Sequence, residues 1–386
     1  MIRRTLARRL RQQAAAYPVV AVTGPRQSGK TTLVRACFPR KPYVSLEDLD
    51  TRQFAREDPR GFLAGLPRGA ILDEVQHAPG LLSYMQTIVD ARRDKGVFIL
   101  TGSNQFLLMA QVAQSLAGRI AILRLLPLTL SELGAGRTRD VAEVCWRGGY
   151  PRVHADGLDP ADWYRNYLET YLEKDLKDLL RVHDLLQFRK LLAMLASQCG
   201  QLLNLSALGA SLGLNHNTVR AWLAALEQSC LVFQLPPFHR NFQKRLVKTP
   251  KVYFYDTGLA CALLRLHDPA ALADHYLRGA LFENLVVSEL HKEAWHRGVP
   301  ADFYFWRDHT GHEVDLLREA NGRLYPVEIK AAQTVHDDFF SGLRDFGELA
   351  ATPLPQAAVV YGGQAPQTRH GVQVIGWRRA WTLLGA

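Results

Sequence analysis

The sequence predicts an α/β protein with three parts: a core built on a parallel sheet, a helical middle segment and a smaller C-terminal α/β domain. In the first 130 residues, short apolar runs are each followed by polar or glycine residues and then by a helical pattern, which is typical of strand–helix units. Apolar residues recur at helical spacing between residues 162 and 195, and strand-like alternation returns after residue 300. We therefore expect three domains, spanning residues 1–150, 151–265 and 266–386.

The composition is that of an ordinary globular protein. The chain has 386 residues, of which 47% are hydrophobic and 22% charged. No apolar run approaches the roughly 20 residues that span a bilayer, so we expect no membrane partner. The five cysteines are scattered without a C-x-x-C motif, which predicts reduced thiols and a cytoplasmic protein. The net charge of +10 favours a polyanionic partner such as nucleic acid, although many basic surfaces bind nothing.

The N-terminus is rich in arginine and faintly resembles a transit peptide. It carries Arg3, Arg4, Arg8, Arg9 and Arg11 and no acid. Leu6 and Leu10 form a helical apolar stripe, however, so we expect a basic surface helix rather than a cleaved leader.

Residues 21–32, AVTGPRQSGKTT, match the phosphate-loop pattern G-x-x-x-x-G-K-[ST]. An apolar run precedes the loop and a helical pattern follows it, as this motif requires. Glycines let the backbone approach phosphates closely, Lys30 adds a charge at the β/γ-phosphates, and the Thr31 hydroxyl can bind Mg²⁺. The sequence therefore predicts ATP and Mg²⁺ as cofactors, and the candidate nucleotide-binding residues are Gly24, Pro25, Arg26, Gln27, Ser28, Gly29, Lys30, Thr31 and Thr32.

Two later strands end in polar residues. Residues 69–74, GAILDE, are an apolar strand that ends in Asp73, expected to hold Mg²⁺ through water, and Glu74, expected to activate the attacking water. Residues 97–104, VFILTGSN, form another buried strand, whose Ser103 or Asn104 can lie near the γ-phosphate. Because ligands bind at the carboxyl ends of parallel strands, these residues predict one catalytic edge.

Arg119 follows the segment Ser115–Gly118 and precedes an apolar strand. It can act as an arginine finger on the ATP of a neighbouring subunit. The alternative is a surface arginine in a helix-terminal turn, since Gly118 is typical of a C-cap.

Five segments together resemble a widespread prokaryotic family of AAA+-type ATPases with a C-terminal domain known as DUF4143: GPRQSGKTTL, LDEVQ, LTGSNQFLL, SLAGR and LLPLTLSEL. The later segments GGYP, LPPF, KVYFYDTGL and FENLVVSEL resemble it too. The resemblance covers nearly the whole chain. It implies ATPase activity, the sensor 1 role for Asn104, and self-association into a hexamer-like ring or a helical oligomer.

The middle segment contains a predicted helix-turn-helix. Residues 162–195 form the longest helical pattern, expected to be a lid behind the ATPase core. Residues 205–227 then predict a short helix capped by Ser206, a turn at residues 213–215 and a second helix from about residue 217. The outer side of that second helix carries the candidate DNA contacts Asn217, Thr218 and Arg220.

Residues 239–251 resemble the wing of a winged helix. They contain five basic residues and no acid: Arg240, Lys244, Arg245, Lys248 and Lys251. Such a segment favours contact with the phosphates of double-stranded DNA. Winged helices also serve as protein-interaction modules or as lids, so that alternative stays open.

The C-terminal part carries acids on adjacent predicted strands. Glu313 and Asp315 share one face of a strand, and Glu328 and Lys330 share one face of the next. This pattern resembles the PD-(D/E)xK nuclease core, with Val314 in place of proline and Glu283 as the helix acid. The resemblance implies that Glu283, Asp315 and Glu328 bind Mg²⁺ and that Lys330 positions the attacking water. The alternative is a degenerate fold used for binding or assembly.

Three functions are consistent with these patterns. The leading hypothesis is an oligomeric ATPase that binds DNA in a nucleotide-dependent way. The second is a metal-dependent DNA nuclease that is licensed by ATP. The third is a signalling ATPase whose C-terminal domains bind proteins.

Overall fold

The structure is a computed structural model that describes residues 2–92, 94–102, 115–137, 140–171, 185–238, 248–300, 302–350 and 357–385. The chain forms two compact units. The first unit comprises Met1–Leu128, Gln228–Cys230 and Trp295–Gly298, and the second comprises Thr129–Glu227, Leu231–Ala294 and Val299–Ala386.

The first unit contains a five-stranded sheet in which all neighbouring strands are parallel. The spatial order is β2-β3-β4-β1-β5. The strands are β1 (Val19–Thr23), β2 (Tyr43–Ser45), β3 (Ile71–Asp73), β4 (Phe98–Gly102) and β5 (Ile120–Arg124). This arrangement confirms the predicted α/β core, and it brings the carboxyl ends of β1, β3 and β4 to the same edge.

Helices cover both faces of this sheet, which explains why its strands are continuous apolar runs. Val19 and Ala21 of β1 belong to one buried cluster, whereas Val20 and Val22 belong to another, because alternate strand residues point to opposite faces. The helices are α1 (Leu6–Ala16), α2 (Lys30–Cys37), α3 (Leu49–Glu57), α4 (Pro59–Ala64) and α5 (Leu81–Ala91), with a 3-10 turn at Val75–His77. Leu6, Leu10 and Ala14 are the buried residues of α1, as the apolar stripe predicts.

The second unit begins with a helical part. Its helices are α6 (Leu130–Leu133), α7 (Val141–Arg147), α8 (Pro151–Ala155), α9 (Pro160–Tyr171), α10 (Leu185–Ser197), α11 (Leu205–Leu212) and α12 (His216–Gln228), with a 3-10 turn at Ala135–Arg137. The long helix predicted over residues 162–195 is helical at both ends, and residues 172–184 lie outside the described residues.

Helices α11 and α12 are joined by three residues, as predicted, but the predicted cap is wrong. The side chain of Asn204, not Ser206, accepts the Ala207 N–H at 3.0 Å. Asn204 is favoured because it stands outside the helix in extended backbone, where its oxygen can reach a free N–H of the first turn. The strands β6 (Val232–Leu235) and β7 (Lys251–Phe254) then pair in antiparallel fashion.

A six-stranded mixed sheet forms the C-terminal part of the second unit. Its order is β12-β13-β11-β10-β9-β8. The strands are β8 (Phe303–Arg307), β9 (Glu313–Ala320), β10 (Arg323–Lys330), β11 (Ala358–Tyr361), β12 (Gln367–Arg369) and β13 (Val372–Gly376). The accompanying helices are α13 (Thr257–Leu263), α14 (Pro269–Ala273), α15 (Arg278–Arg297, whose last turn belongs to the first unit) and α16 (Ser341–Ala350), with 3-10 helices at Asp337–Phe340 and Trp377–Leu384.

No helix of the described segments is long and apolar enough to cross a membrane.

Candidate functional site

The phosphate loop connects β1 to α2 through backbone conformations that suit glycine. Gly24 has a φ of 142° and Gly29 a φ of 91°. A Cβ on Gly24 would lie 2.1 Å from the Leu125 carbonyl oxygen, so only glycine fits where the loop passes β5. Gly29 immediately precedes α2, which leaves the first N–H groups of that helix free of intrahelical partners. The loop therefore has the geometry of an anion-binding helix N-terminus.

Lys30 is held on this loop. Its side chain is buried, and its ammonium donates to the carbonyl oxygens of Gly24 at 3.1 Å and Pro25 at 3.0 Å. Burial lowers the pKa of Lys30, and the carboxylates of Glu74 and Asp73 oppose that shift. The buried ammonium of Lys30 is thus held by backbone carbonyl oxygens, and a polyphosphate is the kind of anion that can replace them.

Asp73 lies at the carboxyl end of β3, where three hydroxyl groups converge on its carboxylate. Thr31 Oγ1 donates to its two oxygens at 2.9 and 3.1 Å, and Tyr43 Oη donates to Oδ2 at 2.7 Å. Thr101 of β4 also donates to Asp73. Because a single strand separates β1 from β3, the predicted metal-binding pair Thr31 and Asp73 is brought together. A hydroxyl and a carboxylate are oxygen donors of the kind that Mg²⁺ takes beside nucleotide phosphates, so these residues fit the implied ion.

Glu74 follows Asp73 in a left-handed backbone conformation with a φ of 54°. This conformation costs a residue other than glycine roughly 1–2 kcal/mol. The Glu74 N–H donates to Thr101 Oγ1 at 3.4 Å, and Gln76 Nε2 donates to the Glu74 carboxylate. The turn after β3 thus sets the direction in which the predicted catalytic carboxylate leaves the strand.

Arg119 lies far from its own phosphate loop. It directly precedes β5, whose first residue pairs with the first residue of β1, whereas the loop follows the last residue of β1. The guanidinium binds both carboxylate oxygens of Asp90, at 2.5 and 2.9 Å. Arg119 therefore belongs to the opposite edge of the sheet, and its role as a trans-acting arginine stays a prediction. The predicted sensor residues Ser103 and Asn104 lie outside the described residues.

The predicted nuclease residues meet in the second unit. Lys330 Nζ lies 2.5 Å from Glu328 Oε1, and the Asp315 carboxylate accepts the Ile329 N–H at 2.7 Å. Asp315 and Glu328 are both buried. Burial, together with the carboxylates of Glu328 and Glu283, raises the pKa of Asp315 well above its usual range. Glu283 is close enough to act on the charges of Asp315, Glu328 and Lys330, so all four predicted residues belong to one cluster.

Lys251 completes this cluster, and its position corrects the predicted wing. Its ammonium lies 2.9 Å from Glu283 Oε1 and also pairs with Glu313. Burial opposes its charge, but the carboxylates of Glu283, Asp315 and Glu313 raise the pKa of Lys251 above its ordinary value. Lys251 is therefore not an exposed wing cation. It is the first residue of β7, and its buried ammonium pairs with acids that are distant in sequence. Among the described residues, no group of three or more His, Cys, Asp or Glu side chains is placed to hold a metal ion.

Comparison with known proteins identifies the parts of the chain. Residues 16–134 match the family model of an AAA domain, and residues 138–270 and 278–379 match those of two domains of unknown function, DUF8612 and DUF4143. The uncharacterized proteins Rv2008c of Mycobacterium tuberculosis and Mb2031c of Mycobacterium bovis are each 34% identical over 370 residues, which cover 94% of this chain and 80% of theirs. The chain belongs to the prokaryotic family of AAA-type P-loop ATPases with a C-terminal DUF4143 domain.

Solved structures similar to this chain include a Walker-type ATPase and a branch migration motor. The Walker-type ATPase PABY2304 of Pyrococcus abyssi is 17% identical with a TM-score of 0.44, and the match covers 67% of this chain and 94% of that one. The RuvB Holliday junction branch migration motor of Thermotoga maritima is 20% identical with a TM-score of 0.29, over 60% of this chain and 89% of that one.

The candidate nucleic-acid face of this AAA-type ATPase lies at the start of α12. Asn215 caps the helix by accepting the Thr218 N–H at 2.8 Å. Asn217 and Arg220 are exposed, whereas Thr218 is half-buried. Of the wing residues, Lys248 is exposed, and Arg240, Lys244 and Arg245 lie outside the described residues.

Four residues at these sites were missed by the sequence patterns. Tyr43 and Thr101 bind Asp73 from neighbouring strands, and Lys251 binds the acids of the DUF4143 domain. Arg4 donates to the carbonyl oxygens of Ser28 at 2.7 Å and Leu126 at 2.6 Å, which ties the N-terminal segment to the phosphate loop. No motif marks any of them, although a polar Thr101 inside a buried strand is a signal that could have been used.

Proposed function

We propose that the protein hydrolyses ATP with Mg²⁺, assembles into an oligomer and binds double-stranded DNA in a way that depends on the bound nucleotide. The observation that supports the proposal is the hydrogen bond between Thr31 and Asp73, next to a phosphate loop whose carbonyl oxygens hold the buried ammonium of Lys30. When bound, Mg²⁺ neutralises charge on the nucleotide phosphates.

The residues of the chain have separate tasks in this activity. Lys30 exchanges its loop carbonyls for phosphate oxygens, which are better partners because they carry charge. Glu74 accepts the proton of the attacking water, and Asn104 and Arg119 stabilise the charge that develops on the γ-phosphate. Since Arg119 cannot reach its own loop from the opposite sheet edge, its contribution requires a second subunit, which supports a ring or a helical oligomer.

DNA binding is supported by charge and by local geometry. The chain has a net charge of +10. The capped start of α12 presents Asn217 and Arg220 to solvent, as a recognition helix does. Residues 239–248 add Arg240, Lys244, Arg245 and Lys248 without a carboxylate. Together with five cysteines that form no disulfide within the described segments, this supports a cytoplasmic protein that acts on DNA.

The decisive experiment separates nucleotide binding from hydrolysis. Fluorescence anisotropy with a labelled duplex is measured for Glu74→Gln without nucleotide, with ADP and with ATP, at two salt concentrations. We expect salt-dependent binding whose affinity differs several-fold between the ATP and nucleotide-free forms. Lys30→Ala serves as the control, in which ATP should have no effect. Equal affinities in all three states would contradict nucleotide dependence, and the absence of salt-dependent binding would favour the protein-binding alternative.

A second candidate function is metal-dependent DNA cleavage by Asp315, Glu328 and Lys330. The observation that favours it is the close approach of Lys330 to Glu328 beside the buried Asp315. Incubation of supercoiled plasmid with Mg²⁺ or Mn²⁺ and ATP tests it, with Glu328→Gln as the control. Nicked product from the wild type alone would establish this function.

A further inference from the structure

The carboxylate cluster of the second unit consists of Glu283, Glu313, Asp315 and Glu328. We infer that the ammonium of Lys251 is the built-in cation of this cluster, and that the cluster therefore holds no divalent metal in the wild-type protein. This inference goes beyond the proposed ATPase and does not depend on it. It disagrees with the Mg²⁺ site that the nuclease-like pattern implies, and it therefore predicts that the plasmid assay for the second candidate function gives no nicked product.

The first argument is the position of Lys251. Its side chain is 3% exposed, its Nζ is 2.9 Å from Glu283 Oε1, and it also pairs with Glu313. These two acids come from α15 and β9, so the ammonium joins elements that are distant in sequence. The Phe305 ring lies on a further side, with its centroid 5.5 Å from Nζ. A buried ammonium is tolerated only where anions surround it, and here it occupies the space between them.

The second argument is charge. Four carboxylates face three cations, because Arg307 Nη1 lies 3.2 Å from Glu313 and Lys330 lies 2.5 Å from Glu328. One net negative charge remains. A divalent cation added to this set would leave excess positive charge in a buried place, which is unfavourable.

The third argument is the number of free oxygen atoms. Glu283 Oε1 accepts from Lys251 and, at 2.5 Å, from the Tyr253 hydroxyl. Asp315 Oδ2 and Glu328 Oε1 are also used, by Ile329 N–H and by Lys330. Glu328 Oε2 is buried without a hydrogen-bond partner, but one oxygen is not a metal site. Magnesium keeps several waters and binds through one or two carboxylates whose oxygens face it, and while Lys251 and Lys330 occupy these oxygens the described acids form no such group.

The test uses Mn²⁺ alone as the probe, on the full chain. Every variant carries Asp73→Asn, which removes the carboxylate of the nucleotide site as a source of metal binding. Bound Mn²⁺ is measured by the loss of the free-ion electron paramagnetic resonance signal, and thermal unfolding is followed with and without millimolar Mn²⁺. The variants are the Asp73→Asn background, Lys251→Met, Lys251→Met with Glu328→Gln, and the exposed-lysine control Lys248→Met.

We expect the background protein and Lys248→Met to bind no Mn²⁺ and to show an unchanged Tm. Lys251→Met should bind one ion per chain, with a Tm increase of roughly 5–10 °C at saturating metal, and Glu328→Gln should abolish both effects. If Lys251→Met folds only when Mn²⁺ is present, the metal has replaced the ammonium, and the inference is supported.

Two results would overturn the inference. One is stoichiometric Mn²⁺ binding by the background protein that Glu328→Gln removes. The other is a folded Lys251→Met protein that binds no metal. If Lys251→Met does not fold under any condition, the comparison of the background protein with its Glu328→Gln variant still decides the matter.

Discussion

At the scale of single residues, the side chains of Asp73 and Glu74 and their hydrogen-bond partners determine the chemistry that we expect of the nucleotide site. Removing the Glu74 carboxylate should separate binding from turnover, because glutamine keeps the size of the side chain but cannot accept a proton. We expect Glu74→Gln to bind ATP with wild-type affinity and to hydrolyse it 10²–10⁴-fold more slowly, the usual contribution of a general base. Equilibrium binding of a fluorescent ATP analogue and single-turnover hydrolysis measure the two quantities. Lys30→Ala should instead weaken binding. Wild-type turnover by Glu74→Gln would show that another group is the base.

The Tyr43 hydroxyl makes a second prediction at this scale. Tyr43 donates to Asp73 at 2.7 Å, and burial together with this hydrogen bond raises its pKa to about 12. The phenol therefore stays protonated, and remains a donor, throughout neutral and mildly alkaline pH. Tyr43→Phe removes one of the three hydroxyl groups that hold the Asp73 carboxylate in place. It should raise the Mg²⁺ concentration for half-maximal ATPase activity about tenfold, as is typical when a metal ligand loses a hydrogen-bond partner.

Tyr84→Phe is a matched control for Tyr43→Phe. Both rings are 37% exposed, and each has an arginine guanidinium near its face, Arg35 for Tyr43 and Arg60 for Tyr84. Tyr84 lies in α5 and is not among the hydroxyl groups that bind Asp73, so its substitution should leave the Mg²⁺ dependence unchanged. If the two variants behave alike, Tyr43 does not position the carboxylate.

At the scale of elements, the sequence predicted those parts of the fold whose signals are local. The strands β1, β3 and β4 are continuous apolar runs, and the loop after β1 contains a motif whose spacing is fixed by its chemistry. Helix α3 was missed because its apolar residues do not form a buried stripe: Leu49 is 67% and Phe54 49% exposed. Arg4, Tyr43, Thr101 and Lys251 were missed because their roles depend on tertiary contacts, and sequence spacing carries no information about those.

Helix α1 gives a prediction about an element. Arg4, just before α1, donates two hydrogen bonds to carbonyl oxygens on the phosphate loop and after β5. Arg4→Ala should reduce the free energy of unfolding by about 1.5–3 kcal/mol, the usual contribution of hydrogen bonds to a charged group, and should also weaken ATP binding. Urea denaturation and ATP titration measure these effects. Arg8→Ala, at an exposed position of the same helix, should change neither. Equal behaviour of the two variants would mean that the N-terminal segment does not support the loop.

The wing gives a second prediction about an element. A triple variant should weaken DNA binding about equally for all DNA sequences; it combines Lys244→Ala, Arg245→Ala and Lys248→Ala. Each lost phosphate contact should reduce the slope of log K against log[salt] by about one. Replacing the exposed Arg68, Arg323 and Arg344 with Ala removes the same three charges elsewhere; it is the control for net charge and should have little effect. Substitutions at Asn217 or Arg220 should instead change the preference among sequences. An unchanged slope in the triple variant would remove the wing from the DNA site.

At the scale of the whole molecule, the position of Arg119 connects catalysis to assembly. The guanidinium is at the edge of the sheet opposite to its own phosphate loop and is paired with Asp90. An arginine there can act on a nucleotide only if another subunit brings its loop to that edge, and it must then leave Asp90. The pair is exposed, so its separation in water costs little. If Arg119 acts in trans, the γ-phosphate of the neighbouring subunit's ATP would therefore replace Asp90 as its partner.

Complementation tests this arrangement. If Arg119 is an arginine finger, Arg119→Ala should retain ATP affinity and hydrolyse ATP roughly 10³-fold or more slowly. Mixed with Lys30→Ala, it should recover part of the activity, because the Lys30→Ala subunit supplies Arg119 and its neighbour supplies an intact loop. Arg92→Ala is the matched control, since Arg92 directly follows α5, the helix that carries Asp90, and is exposed, with a hydrogen bond to the Pro67 carbonyl oxygen. It should hydrolyse ATP normally. Activity of the mixture no greater than that of either variant alone, over a range of mixing ratios, would show that Arg119 is a surface residue and that catalysis needs no second subunit at this edge.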